Sequence, residues 1–428
     1  MRGALVLLGA VLLSGRAAAQ SLRDLPVWLS AEVRERYDNP ELPLFNNEYG
    51  TVDPRHGALP FFFSRIRIGL LAEPVSRFSA FAQLQDSRFW GEEQGTLNNQ
   101  KGVDLHQGWL QLGDRERFLR VGRQEYALGE ERLFGRDDWY ETGRAFDMVR
   151  FRSWLGDGKW IGEVLYAETT NPIPDNEDEA FELLAVTRLF PWGQVTGYGV
   201  EQHDSHRGPE TANKRYIGTF GLHTRLTSGP WDVDVEGAFQ IGQNFDDRQR
   251  TAFGAGFVRR RMSWRRPVTL GFEFSRASGD GDDDDLSRDF DPLYPSRHDK
   301  YGFLDLLTLT NQRQLGLTLD VAGDRPGDLL HVAARKLSLE NPKGRWVNAR
   351  GETIARDRSG GHGRDLGWEI DLGLTRKVFR EIDLFASVQG GYLRGGRYAR
   401  EVAGITQAYQ WTITLTYRLG RLPEGSYR

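Results

Sequence analysis

At 428 residues and a formal net charge of −4, the chain is long enough for one large domain but lacks the basic excess expected of a nucleic-acid binder. It contains no Cys, which excludes a disulfide framework. Gly (50), Phe (24), Tyr (14) and Trp (12) are abundant, and only seven of the 56 basic residues are Lys (Lys101, Lys159, Lys214, Lys300, Lys336, Lys343, Lys377), so the positive charge is carried by Arg, which grips carboxylates and phosphates in a fixed fork.

In chain order, the first element is Met1-Arg2, an apolar run from Ala4 to Leu13, and Ala17-Ala18-Ala19 before Gln20. That is the charged, apolar and small-residue order of a secretory signal. The expectation is a signal peptide over 1–19, cleaved after Ala19, and a single mature domain over 20–428. The apolar run is too short to cross ~30 Å of hydrocarbon as a helix, and no Cys follows it to make a lipoprotein. Mean hydropathy is −0.55, a value at which only a β-barrel still spans a membrane, because its strands alternate lipid-facing and lumen-facing residues.

The strands that follow show that alternation. Val27, Leu29, Ala31 and Val33 oppose Arg34 and Arg36, Ile66, Ile68 and Leu70 oppose Arg65 and Arg67, and Val149 and Phe151 oppose Arg150 and Arg152. Trp231, Val233, Val235, Phe239 and Ile241 oppose Asp232, Asp234, Glu236 and Gln240, and Val268, Leu270, Phe272 and Phe274 oppose Glu273. Trp368, Ile370, Leu372 and Leu374 oppose Glu369 and Asp371, and a last strand runs from Tyr409 to Leu419. Short joints at 73–76, 113–117, 155–159, 190–193, 227–230, 264–267, 323–327 and 376–381 alternate with long polar segments at 39–60, 87–102, 125–143, 168–178, 201–213, 243–250, 278–304, 339–365 and 394–408. Short periplasmic turns alternating with long extracellular loops predict an all-β, closed transmembrane antiparallel barrel of about 18 strands.

An Arg facing lipid at mid-depth costs roughly 2–4 kcal/mol, so Arg34, Arg36, Arg65, Arg67, Arg150 and Arg152 are expected in the lumen. Asp232, Asp234, Glu236, Glu273, Glu369 and Asp371 are expected to form an acidic wall opposite. Simple parity fails at 119–123: Leu119 and Val121 face lipid and Arg120 the lumen, which would send Arg123 outward. Gly122 suggests a bulge at Val121-Gly122 that turns both Arg120 and Arg123 into the pore, Arg123 standing beside Arg152.

Other constellations carry less. His203-Asp-Ser-His206 lacks further metal ligands, and Gly279 to Asp285 lacks the turn glycine and closing Glu of a calcium loop. His223 and His331 have no same-face Ser for nucleophilic catalysis. Neither enzyme, metal nor cofactor is expected.

Two blocks carry a family likeness: Asp104 to Leu112 with Leu119-Arg-Val-Gly-Arg-Gln-Glu125, Gly129-Glu-Glu-Arg132, Asp138-Trp139, Gly143-Arg144 and Arg150-Phe-Arg152, and then Leu293-Tyr-Pro-Ser-Arg-His-Asp-Lys-Tyr-Gly302 with Asp305 and Asn311. They resemble the alginate-export porin family. The resemblance implies a monomeric outer-membrane channel carrying an anionic, alginate-like polyuronate outward through an arginine-lined constriction, with Arg132 and Arg144 joining the lumenal arginines. The loop at 125–143 is expected to fold into or over the pore. Outer-membrane lipid and lipopolysaccharide, and a periplasmic export scaffold, are the implied partners. The rival readings are a porin for small anionic or sugar solutes, and a structural barrel with a plugged lumen. Family barrels end in an aromatic residue, whereas here a polar tail to Arg428 follows Leu419.

Overall fold

The computed structural model describes residues 26–40, 61–90, 102–169, 178–205, 215–244, 247–281 and 284–420. Its first half contains β1 (Val27–Pro40), β2 (Phe61–Val75), β3 (Phe78–Phe89), β4 (Asp104–Gly113), β5 (Phe118–Gln124), β6 (Phe146–Leu155), β7 (Trp160–Thr169), β8 (Asp178–Phe190), β9 (Gly193–Ser205) and β10 (Tyr216–Ser228). The second half contains β11 (Trp231–Asn244), β12 (Asp247–Ser263), β13 (Pro267–Ala277), β14 (Leu286–Ser287), β15 (Gln312–Ala322), β16 (Leu329–Leu339), β17 (Arg345–Val347), β18 (Thr353–Arg356), β19 (Asp365–Lys377), β20 (Asp383–Gly395), α1 (Arg397–Glu401) and β21 (Gln407–Leu419). Apart from the short β14, β17 and β18, each strand pairs antiparallel with its successor, and β21 pairs with β1 (Arg34 opposite Thr416). The result is a closed 18-strand antiparallel barrel, in which no backbone edge is left for lipid to solvate.

The exposure pattern is inverted relative to a soluble protein. Leu29 (56%), Ile68 (49%), Leu110 (55%) and Leu372 (57%) are exposed, whereas Arg65 is 1% exposed. Alternation places one set against lipid and the other inside. Aromatics rim both ends: Phe190 stacks on Trp192 and Arg188 covers Trp160 beside the short turns, while Tyr37 contacts Phe62 and Trp411 beside the long loops. Short turns mark the periplasmic end and long loops the extracellular end.

Three expectations need correction. Segment 243–250 is not a long loop, because β11 and β12 stay paired to Asn244 opposite Asp247. Alternation continues through it: Gln249 points inward, bonding Gln240 as Thr251 does and donating to the Asp289 carbonyl, while Arg248 and Arg250 face outward. Segment 278–304 continues as loop to residue 311, since β15 starts at Gln312. No bulge occurs at Val121-Gly122, where β4 and β5 run in unbroken register from Gly108 opposite Arg123 to Gly113 opposite Phe118. The register shift lies instead between β3 and β4, where Gln83 pairs with Gln107 but Leu84 with Leu105. Gly122 has φ +122°, and a Cβ there would lie 2.2 Å from the Gly108 carbonyl oxygen. The glycine thus permits a close strand approach without adding a residue.

The core sits inside the barrel rather than in its wall. Leu133, Phe134, Phe290, Leu304, Leu306, Leu307, Leu309 and Trp346, all from long loops, pack against inward Phe146, Leu165, Phe181 and Leu183 from β6 to β8.

Candidate functional site: a loop-latched lumen

The loop between β5 and β6 crosses the lumen and takes up the charges of both walls. On the β1 and β2 side, Arg34 donates to a Glu141 carboxylate oxygen (2.7 Å) and to the Asp138 carbonyl (2.7 Å). Arg36 donates to the Trp139 carbonyl at 2.6 Å and lies 3.1 Å from Glu141. Arg65 and Arg67 converge on one Asp138 carboxylate oxygen at 3.0 and 2.6 Å. Partial withdrawal from water pushes the Asp138 carboxyl up, and Arg65, Arg67 and Arg34 more than reverse it, holding the group well below the usual carboxylate range.

The same loop touches the far side through Arg132, 3.6 Å from Asp234 on β11. Asp234 also lies 2.7 Å from His223, Glu236 accepts from the Tyr198 hydroxyl (2.8 Å), and Arg225 bonds Asp232 at 2.9 Å. Farther round, buried Arg335 bonds Glu273 and Asp371. Glu369 and Asp371 accept the backbone N–H groups of Leu304 (3.0 Å) and Phe303 (3.3 Å). The acids therefore form an arc. Its β11 end faces β2 across the barrel and β13 faces the β4 and β5 side, but β19 stands only three strands from β1, through β20 and β21, so the acids do not form one wall opposite all the arginines.

The two sequence blocks meet in space. Tyr294 donates its backbone N–H to the Leu133 carbonyl and accepts from the Gly135 N–H, bridging Phe134, Ser296 donates to Glu131 at 2.6 Å, and Arg297 donates to Asp137 at 2.7 Å. Arg144 donates to the Pro295 carbonyl at 2.7 Å. Trp139 stacks on His298 at 3.8 Å, and His298 contacts Asp305 (2.9 Å) and Gln389 (2.6 Å). Burial pulls the His298 imidazole down, but Asp305 outweighs it and raises the group above its usual value. Glu131, Asp137, Leu293, Asp299, Asp305 and Asn311 all have φ between +48° and +64°. Such a conformation is uncommon for residues other than glycine, and here the two zipped loops hold it. A third loop joins them through Asn311, which donates to the Asn341 and Arg345 carbonyls.

Of the remaining expected residues, Arg120 is buried, bonds Gln111 (2.7 Å) and stacks over Trp109, while Arg150 bonds Glu163 at 2.7 Å and Arg152 lies 3.8 Å from it. Arg123 does not stand beside Arg152. It shares the outward face with exposed Val121 and lies 3.2 Å from Asp147 on β6. Unbroken parity sends it to the extracellular rim, where its long side chain reaches polar surroundings and the cost of facing lipid falls away.

Sequence reasoning missed Arg225, Arg259, Arg261 and Arg335. Arg259 and Arg261 share the face of buried Phe257 near the short-turn end, and the plain alternation along 253–261 carried that signal. Among the described residues, one group could gather ligand atoms for a metal: Glu182, Glu201 and His203, partly exposed on the outside of β8 and β9. His206 lies outside the described residues. In the acidic loop, Asp284 bonds Arg288 at 2.7 Å, as a solvated ion pair would.

A family profile described as Alginate export matches residues 29–412. No curated protein matches the sequence. Solved structures with the same fold include three from Pseudomonas aeruginosa. OpdL is 12% identical over 93% of this chain and 99% of its own (TM-score 0.61). OccK3 (OpdO) is 14% identical over 95% and 100% (TM-score 0.60), and the outer membrane protein opdK is 10% identical over 92% and 99% (TM-score 0.61). A closed barrel of 18 strands whose two sequence blocks lock together inside the lumen, matched by that profile over nearly the whole barrel, thus belongs to the alginate-export family of outer-membrane β-barrel channels.

Proposed function

We propose that the channel passes an anionic, uronate-bearing polysaccharide outward, and that it acts as a conduit rather than as an enzyme. The observation that carries this reading is the seat of Asp138, whose carboxylate lies between Arg65 and Arg67. The loop carboxylate occupies the place that a uronate carboxylate would take, and the paired guanidinium groups suit that group by geometry as well as charge. Arg34, Arg120, Arg150 and Arg152 extend the cationic track, Arg132 and Arg144 hold the loop, and the arc from Asp232 to Asp371 anchors the far side. At the short-turn end, Arg152 and Arg225 are about a third exposed, and Arg259 and Arg261 continue that face. A polymer arriving there meets weak sites in series, which permit movement rather than capture.

Planar-bilayer recording tests this reading. Oligouronates added on the periplasmic side are expected to block the current, and Arg259→Gln with Arg261→Gln is expected to weaken that block at least tenfold. Conductance that oligouronates leave untouched would instead identify a small-solute porin, and silence would identify a structural barrel.

Export to the outer membrane requires the leader at 1–19, which lies outside the described residues. The mature chain is expected to begin at Gln20, and mass spectrometry of the membrane-embedded protein checks it. An intact Met1 there would overturn the cleavage.

A further inference from the structure

The outer surface of the barrel is divided by charge at its extracellular rim. On β6 to β9, the outward residues near that rim are Asp147, Glu168, Glu182 and Glu201. On five consecutive barrel strands of the other side, β13, β15, β16, β19 and β20, they are Arg276, Arg313, Lys336, Trp368 and Arg394. Arg276 stands opposite Arg313, Lys336 opposite Trp368, and Trp368 opposite Arg394, while Arg313 and Lys336 are diagonal neighbours two residues apart in register, so the row steps once between β15 and β16.

Two like charges placed directly across a ladder repel. Here Glu340 clamps both, bonding Arg276 at 2.7 and 3.0 Å and Arg313 at 2.9 Å. The bonds engage Nε and Nη2 of both side chains, which remain 67% and 42% exposed. Lys336 bonds Asp365 and lies 5.5 Å from the Trp368 ring. Four cations against two carboxylates leave the row positive. Below it, the same strands present exposed Leu270, Leu315, Leu317, Ile370, Leu372 and Val388. Trp368 and Tyr392, both exposed, fix the level of the row at the membrane interface, where aromatic girdles lie.

A cationic row directly above a continuous apolar face suits an amphiphile with anionic groups at headgroup depth and several acyl chains beneath them. We infer that the outer face of β13 to β20 is a binding surface for the phosphorylated glucosamine headgroup of lipopolysaccharide, with Arg276, Arg313, Lys336 and Arg394 contacting its phosphates. This site lies on the outside of the barrel and does not depend on what passes through the lumen.

Native mass spectrometry of the detergent-purified barrel tests it, with bisphosphorylated lipid A and its dephosphorylated form as probes. The wild type is expected to bind the phosphorylated form at least tenfold more tightly. Arg313→Gln/Lys336→Gln/Arg394→Gln is expected to lose that preference, while Glu182→Gln/Glu201→Gln keeps it. If the triple variant does not show the gel mobility of a folded barrel, Arg394→Gln alone is expected to lower the preference at least threefold. Equal binding of the two lipids by the wild type, or an unchanged preference in the folded variants, would overturn the assignment.

Discussion

Asp138→Asn is expected to raise single-channel conductance severalfold and to increase current fluctuations, because it cuts the latch between the lumenal loop and the basic wall. The Asp138 carboxylate takes bonds from Arg67 at 2.6 Å and Arg65 at 3.0 Å. A hydrogen bond to a charged group contributes roughly 1.5–3 kcal/mol. Asp138 is about half exposed (48%), so the lower end of that range, for the two bonds together, is the appropriate scale. It corresponds to a shift of about tenfold or more in the ratio of docked to released loop. Glu141 and the backbone carbonyls of 138 and 139 still hold Arg34 and Arg36, so the loop is loosened rather than lost. The pH dependence has a definite sign. The arginines depress the Asp138 carboxyl, so its contribution is complete above the ordinary Asp value of about 3.9 and fades only as pH falls through the lower folded value. Wild-type conductance is therefore expected to survive acidification to about pH 4.5 as far as this latch controls it. Planar-bilayer recording of both proteins decides, and an Asn variant with wild-type conductance and noise would show that the loop is held elsewhere.

The second large effect is expected at Arg335. Replacement by Met should destabilise the folded barrel by about 3–5 kcal/mol, because removal of one partner leaves the others as uncompensated buried charge. Arg335 is 2% exposed, and Glu369 and Asp371 are both fully buried. Its loss strips the counter-charge from Glu273 and Asp371. Glu369 and Asp371 also accept the backbone N–H groups of Leu304 and Phe303, so the disturbance reaches the second sequence block. Adding Asp371→Leu to Arg335→Met is expected to recover part of the loss, as replacing a whole buried pair by apolar groups is far less costly than breaking it. Urea unfolding followed by the gel mobility of the folded barrel measures both, and a single variant as stable as wild type would mean that water reaches the site.

The barrel wall was readable because its physics is binary. Ile66, Ile68 and Leu70 against Arg65 and Arg67 can be arranged only one way beside lipid, and the burial of those residues follows that alternation. Arg123 escaped for a related reason: the rule that forbids an outward Arg weakens with height, and one strand's sequence does not state where the apolar band ends. The filling of the lumen was less readable. That the loop at 125–143 enters the pore follows from its Arg132, Asp138 and Trp139, but its partner loop does not. Pairing of Phe134 with Tyr294 is a contact between irregular segments, which carry no periodicity. One signal was present: Phe181 and Leu183 face inward while Leu184 faces lipid. A strand apolar on both faces needs apolar material on both sides, so something other than water had to stand inside the barrel there.

The position of the seam sets the order in which such a molecule can be put together. The two ends of the chain close the barrel, with Arg418 of the last strand donating to Glu32 of the first across 386 residues. The inner body is drawn from the middle of the chain, where Ser296 meets Glu131 across 165 residues. Loop closure grows costlier with separation, so the middle contacts are entropically the cheaper to make. The entropic ordering thus favours gathering the loops before the first strand meets the last, with β1 against β21 the costliest pairing of the barrel to close.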